Sequence, residues 1–143
     1  MAGWGAWNGP AAAYELTAAI AEHDKRGAAR VICSLEAAEL RGVVIALGAQ
    51  ARYAAHVAGH AGGAGEYREL ERAAVQGTLP GSPALPLALA ALDGTADPGD
   101  PPQLPFRLLA AAAVTLAMAT IRVMTMAGWS RQAVAVICRR SAA

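Results

Sequence analysis

His56 and His60 stand four residues apart in ARYAAHVAGH. On a helix that spacing sets both imidazoles on one face, where two nitrogen ligands can begin a metal site, and Glu66 follows as a third donor. Zinc hydrolysis of the HExxH kind also needs a glutamate directly after the first histidine to serve as base, and Val57 stands there instead. The pair therefore reads more simply as two surface histidines where a helix runs out into glycines, and no metal or other cofactor is expected.

A second constellation lies near the C-terminus, in MAGWSRQAVAVICRR from Met126 to Arg140. A helix-turn-helix carries apolar residues at fixed points around a turn glycine, so that two helices cross and the second can enter a major groove. With Gly128 as that glycine, Val123, Ala127, Trp129, Val134 and Ile137 fill the apolar positions. Arg131, Gln132, Arg139 and Arg140 are then the candidate contacts to base edges and phosphates. Three features fit a packed hairpin better. Met124 is bulky where the first helix needs a small residue, Val136 stands where a base-reading side chain belongs, and the first helix is far longer than such motifs use.

Trp4 and Trp7, in the glycine-rich arm MAGWGAWNGP, form the third candidate. Tryptophan is enriched in the few residues that dominate protein interfaces, so the two are candidate partner-binding residues. They can equally fold back over the chain's own core or over a twin subunit. His23 is alone beside Asp24. Cys33 and Cys138 sit in the apolar stretches VICSL and AVICRR and are expected to be buried small hydrophobes, with no disulfide between them. No glycine-rich phosphate loop, nucleophile elbow or paired-cysteine metal signature occurs, and catalysis is not expected.

The elements that must position these residues are helical throughout. Asn8-Gly9-Pro10 is a start signal for a helix over about 10–24, with Ala13, Leu16, Ile20 and His23 on one face. Asp24 to Gly27 interrupts it, and AARVICSL gives a short second helix. Ser34 or Glu36 caps a third over 36–59, where Leu40, Val43, Val44, Leu47, Ala51, Ala54 and Ala58 recur at three and four residues. Gly42 and Gly48 inside it point to close backbone approach or to a locally weak helix. EYRELERAAVQG is a short charged helix ending at Gly77.

Seven of the eight prolines lie between Pro80 and Pro105, so residues 78–104 are expected to be a connector holding at most a helical turn or two. Helices over 105–128 and from Ser130 onward follow as a C-terminal hairpin, with Val134, Ile137 and Cys138 inward. A piece of 39 residues is too short to hold a core alone and must pack back on residues 10–77. The expected architecture is an all-α, single-domain bundle of five to seven helices, centred on the 36–59 and 105–128 helices, with residues 1–9 as an arm.

Composition bounds the rest. The 143 residues suit one domain, and the 55% hydrophobic fraction is inflated by 38 alanines, which favour helix but bury little area. The longest charge-free apolar run, Leu108 to Ile121, has fourteen residues, short of the roughly 20 that span a bilayer, so no membrane association is expected. Without a basic and apolar leader at the N-terminus, a cytoplasmic location is expected. Eleven of twelve basic residues are arginine, a coding bias of high-GC bacteria.

Residues 1–100 carry seven basic and eleven acidic side chains, while 101–143 carry five arginines and no acid. Such a split marks either a polyanion-facing segment or two parts that dock on each other. The leading expectation is a small non-enzymatic interaction module, an adaptor or regulator working through protein contacts. An alanine-rich core buries little area, so it is expected to be homo-oligomeric. The alternative is a regulator that binds duplex DNA through the C-terminal segment.

Overall fold

The computed structural model describes residues 9–59, 64–96 and 104–143, and Trp4, Trp7 and His60 lie outside them. The described residues form seven helices and no strands: α1 (Gly9–Ala21), α2 (Lys25–Cys33), α3 (Ala37–Ala58), α4 (Ala64–Thr78), α5 (Leu85–Asp93), α6 (Phe106–Met126) and α7 (Arg131–Ala142). The long α3 and α6 lie against each other at the centre, as their apolar stripes predict. α1 covers both, α5 and α4 close the other side, and α7 lies along α1.

Local chemistry sets the boundaries. α1 ends three residues earlier than its apolar spacing suggests, because His23 takes a left-handed turn at φ 57° and leaves the buried face for solvent. Asp24, read from sequence as part of a break, is the N-cap of α2: its carboxylate accepts from the Gly27 amide at 2.9 Å. A Cβ on Gly27 would lie 2.3 Å from that carboxylate, which would have to shift to make room for it. At the head of α3 the Glu36 amide donates to the Glu39 carboxylate at 2.9 Å.

Gly48 marks close approach. A Cβ there would stand 2.1 Å from the Ala91 carbonyl oxygen, so its absence lets α3 and α5 touch backbone to backbone. The connector expected over 78–104 is thus partly core. Leu85–Asp93 is a full helix with Pro86 in its first turn, where a missing amide costs nothing, and it buries Leu87, Ala88, Ala91 and Leu92. It ends on Gly94 at φ 78°, and the Arg52 guanidinium donates to the Ala91 and Leu92 carbonyls of its last turn at 2.6 and 3.1 Å.

Among the described residues one helix, α6, is long and apolar enough to cross a membrane, and 61% of its most apolar window is buried by the other helices. Leu109, Leu116, Ile121 and Val123 are sealed within the bundle, and the alanines between them let α3 approach closely.

The C-terminal segment departs from the expected hairpin. α6 and α7 touch each other little, and α7 packs chiefly on α1. Val134, Ala135 and Cys138 face inward, while Ile137, expected inside, is 39% exposed. Val134 and Cys138 are inward as expected, but Ala135 takes the third inward place and Ile137 lines a groove.

Candidate functional site in a groove between α3, α6 and α7

Ser130 fixes the start of α7 by accepting from the Ala133 amide at 3.0 Å. Arg131 then reaches across to α1, donating from Nε to the Ala21 carbonyl at 3.1 Å and from Nη2 to the Ile20 carbonyl at 2.9 Å. Those carbonyls end a helix and carry its negative pole, so a guanidinium suits them. Arg139 pairs with Glu15 at 3.0 Å and with Glu22, and these contacts raise its already high pKa further, the Glu22 hydrogen bond first. Gln132 and Arg140 are exposed. Two of the four residues aligned for DNA contact are therefore held at α1, Arg131 on its terminal carbonyls and Arg139 on Glu15 and the following Glu22.

This docking leaves a groove open on the side of α7 facing away from α2. Tyr14 from α1, Gln50, Tyr53, Ala54 and Val57 from α3, Thr120 and Met124 from α6, and Trp129, Val134, Ile137, Cys138 and Ser141 line it, around about 230 Å³. Not one lining residue carries a formal charge. Tyr53, Trp129 and Ile137, three of the large hydrophobic side chains the fold leaves exposed, gather at its rim. On its floor the Gln50 amide donates to Cys138 Sγ at 3.7 Å, and Thr17 Oγ1 lies 3.5 Å from Gln50 Oε1. Burial pushes the Cys138 thiol up to about 11, against a smaller opposing pull from Arg139, so it stays protonated and unreactive. Cys33, expected buried, is exposed.

A shallower depression of about 190 Å³ adjoins the groove, lined by Pro10, Ala13, Tyr14, Ala46, Ala49, Gln50 and Tyr53. It too holds no charged residue, and Tyr14, Gln50 and Tyr53 form the ridge shared by both hollows.

The remaining candidates separate. His56 is exposed on α3, and among the described residues no group of three or more metal-ligating side chains comes together. Sequence reasoning passed over Glu71, which is 1% exposed on α4 with both carboxylate oxygens unbonded. Burial raises its pKa from 4.5 to about 8, with Arg68 and then Arg52 pulling it down, so the carboxyl is mostly protonated at neutral pH. Nearby, Arg72 binds the Asp93 carboxylate at 2.6 and 2.7 Å and ties α4 to α5. A signal for Glu71 was present, since Tyr67, Glu71, Val75 and Leu79 fall on one stripe at spacing four.

The chain matches no protein family, no curated protein and no solved structure. What the fold and site define is a class alone: an all-α bundle with an open, charge-free groove.

Proposed function

We propose that the protein is a small helical interaction module that holds an uncharged, aromatic or aliphatic segment of a partner polypeptide in the groove between α3, α6 and α7, and so works as an adaptor or regulator. The observation that carries this reading is the gathering of Tyr53, Trp129 and Ile137 around an uncharged hollow. Apolar anchors seated in such pockets supply most of the free energy of helix-in-groove and peptide contacts. Gln50 and Ser141 add the few polar atoms that fix orientation. The groove offers no base or nucleophile matched to neutral pH, its thiol being held protonated, and this favours binding over catalysis. Two of the five arginines behind the charge asymmetry, Arg131 and Arg139, are engaged by α1 and the Glu22 beyond its end, which supports the protein-contact reading over duplex DNA.

The test is a photo-crosslinking residue placed at Tyr53, on the groove rim, with a control at Ala73, which is exposed on α4. Mass spectrometry should map the Tyr53 adducts to uncharged segments bearing aromatic or aliphatic side chains, and Ile137→Glu should abolish them. Identical adducts from Tyr53 and Ala73, or adducts indifferent to Ile137→Glu, would refute the proposal. Adducts between two copies of the chain would show self-association through this face.

A further inference from the structure

Away from the groove, Glu71 is sealed at 1% exposure, and neither of its carboxyl oxygens has a hydrogen-bond partner among the described residues. A buried polar group left unpaired destabilises a fold, so its presence calls for a partner that the fold does not supply. Glu71 also lines a hollow of about 200 Å³ between α3, α4 and α5, together with Arg52, Arg68, Arg72, Glu69 and Asp93.

These side chains are not equally engaged. Arg72 and Asp93 hold each other through two short contacts, and Arg52 uses Nη1 on the Ala91 and Leu92 carbonyls. Arg68, exposed and one turn before Glu71 on α4, has no hydrogen-bond or ion-pair partner among the described residues. Burial keeps Glu71 protonated at neutral pH, so three guanidinium groups face two carboxylates and the hollow carries one positive charge in excess.

We infer that this hollow binds a small monocarboxylate, whose two oxygens accept from the Arg68 guanidinium and, in addition, from the buried Glu71 O–H. A planar carboxylate matches the parallel N–H groups of a guanidinium. Its single negative charge cancels the single excess positive one, whereas a dianion would overshoot beside Glu69 and Asp93. An amine is disfavoured, because it enters against the same excess and finds Glu71 without charge. Leu92 is the one apolar side chain in the lining, so the ligand's tail is short. The Glu71 oxygens are shielded from water, so binding goes with a change of rotamer toward the hollow, which gives the buried hydroxyl its acceptor.

Proton and ligand are then linked. An ionised Glu71 repels a carboxylate and has no proton to donate, so the ligand binds the protonated form and holds its proton on. The charges acting on Glu71 are Arg68 on its own helix and Arg52 from α3. From α5, Asp93 is occupied by Arg72; Glu69 lines the same hollow, and His56 and Tyr67 lie outside its lining. The remaining helix against α4 is α6, whose charged residues are Arg107 and Arg122. Of the acids in the hollow, Glu71 alone is buried.

The experiment follows the carboxyl carbon of Glu71 in the full chain by nuclear magnetic resonance, with acetate as the probe. Acetate at ten times its dissociation constant should raise the Glu71 titration midpoint by about one pH unit, and the same concentration of chloride should not. Acetate affinity, read from the α4 amide shifts, should fall by up to about tenfold per pH unit above the Glu71 midpoint of about 8. Glu71→Gln, whose amide is a donor at every pH, should keep acetate binding and lose that fall. Arg68→Gln, at an exposed position, should weaken acetate binding several-fold while the chain stays folded.

A midpoint unmoved by acetate, an equal shift with chloride, or full affinity in Arg68→Gln would overturn the site. A pH dependence that survives Glu71→Gln would overturn the part given to Glu71. Tighter binding of sulfate than of acetate would overturn the assignment to a monocarboxylate. None of these outcomes bears on the groove, which shares no residue with this hollow.

Discussion

Glu71→Gln changes one functional group at a position that is 1% exposed, without changing side-chain shape, and so isolates the effect of a buried ionisable carboxyl. In the folded chain burial holds that carboxyl at about 8, against 4.5 for the group in water. An acid whose folded pKa is raised contributes stability fully below pH 4.5, where both states are protonated. From there to about pH 8 the unfolded chain gives up its proton while the folded one keeps it, and stability falls; above that it is level.

The displacement from 4.5 to about 8, at about 1.4 kcal/mol per pH unit, makes the loss about 5 kcal/mol. Exposed Arg68 can swing toward the carboxylate once it ionises, so this is an upper bound. Set against the 5–15 kcal/mol typical of a domain, such a loss is large. Urea unfolding at pH 5, 7 and 8.5 measures it. The native chain should lose stability steadily with pH, and Glu71→Gln should remove most of that slope and be the more stable of the two at pH 8.5. Parallel pH profiles for the two chains would refute the reasoning, since they would mean that Glu71 titrates alike in both states.

Gly48→Ala should cost about 1–3 kcal/mol in thermal unfolding, because its Cβ would stand 2.1 Å from the Ala91 carbonyl oxygen and force α3 from α5. Gly77→Ala, with open space around the new methyl, should instead be neutral or stabilise by up to about 1 kcal/mol. Arg131→Met should lower stability by about 1 kcal/mol through the two lost contacts to the α1 carbonyls, read as a shift in the urea midpoint. In the native chain a thiol reagent should label Cys33 promptly and Cys138 only after denaturant is added; fast labelling of both would contradict the packing of α7.

The two central helices were legible because Leu40, Val43, Leu47 and Ala51 in α3, and Leu109, Ala112, Leu116 and Val123 in α6, repeat at helical spacing without interruption. α5 was largely hidden by proline, a residue that breaks a helix interior but is tolerated in a first turn; only packing shows that Pro86 occupies the tolerated place. Likewise Glu71 drew no notice within a helix read as short and charged. Its position, on a stripe with Val75 and Leu79, would have placed it inside.

The candidate site was less legible still. Tyr14, Gln50, Met124, Trp129 and Ile137 belong to four segments of the chain, and no spacing within one segment brings them together. The arginines of MAGWSRQAVAVICRR were visible as charge, but whether they face a duplex or a carboxylate depends on what lies opposite.

The sequence alone determined that this chain is helical, where its long helices run and that its two parts carry opposite charge, because periodicity and composition are local properties. The tertiary structure decided that α7 lies along α1, that Arg131 and Arg139 are held there, and that an uncharged groove is left beside them. Those are relations between residues up to 124 positions apart, set by which faces bury together rather than by any one segment.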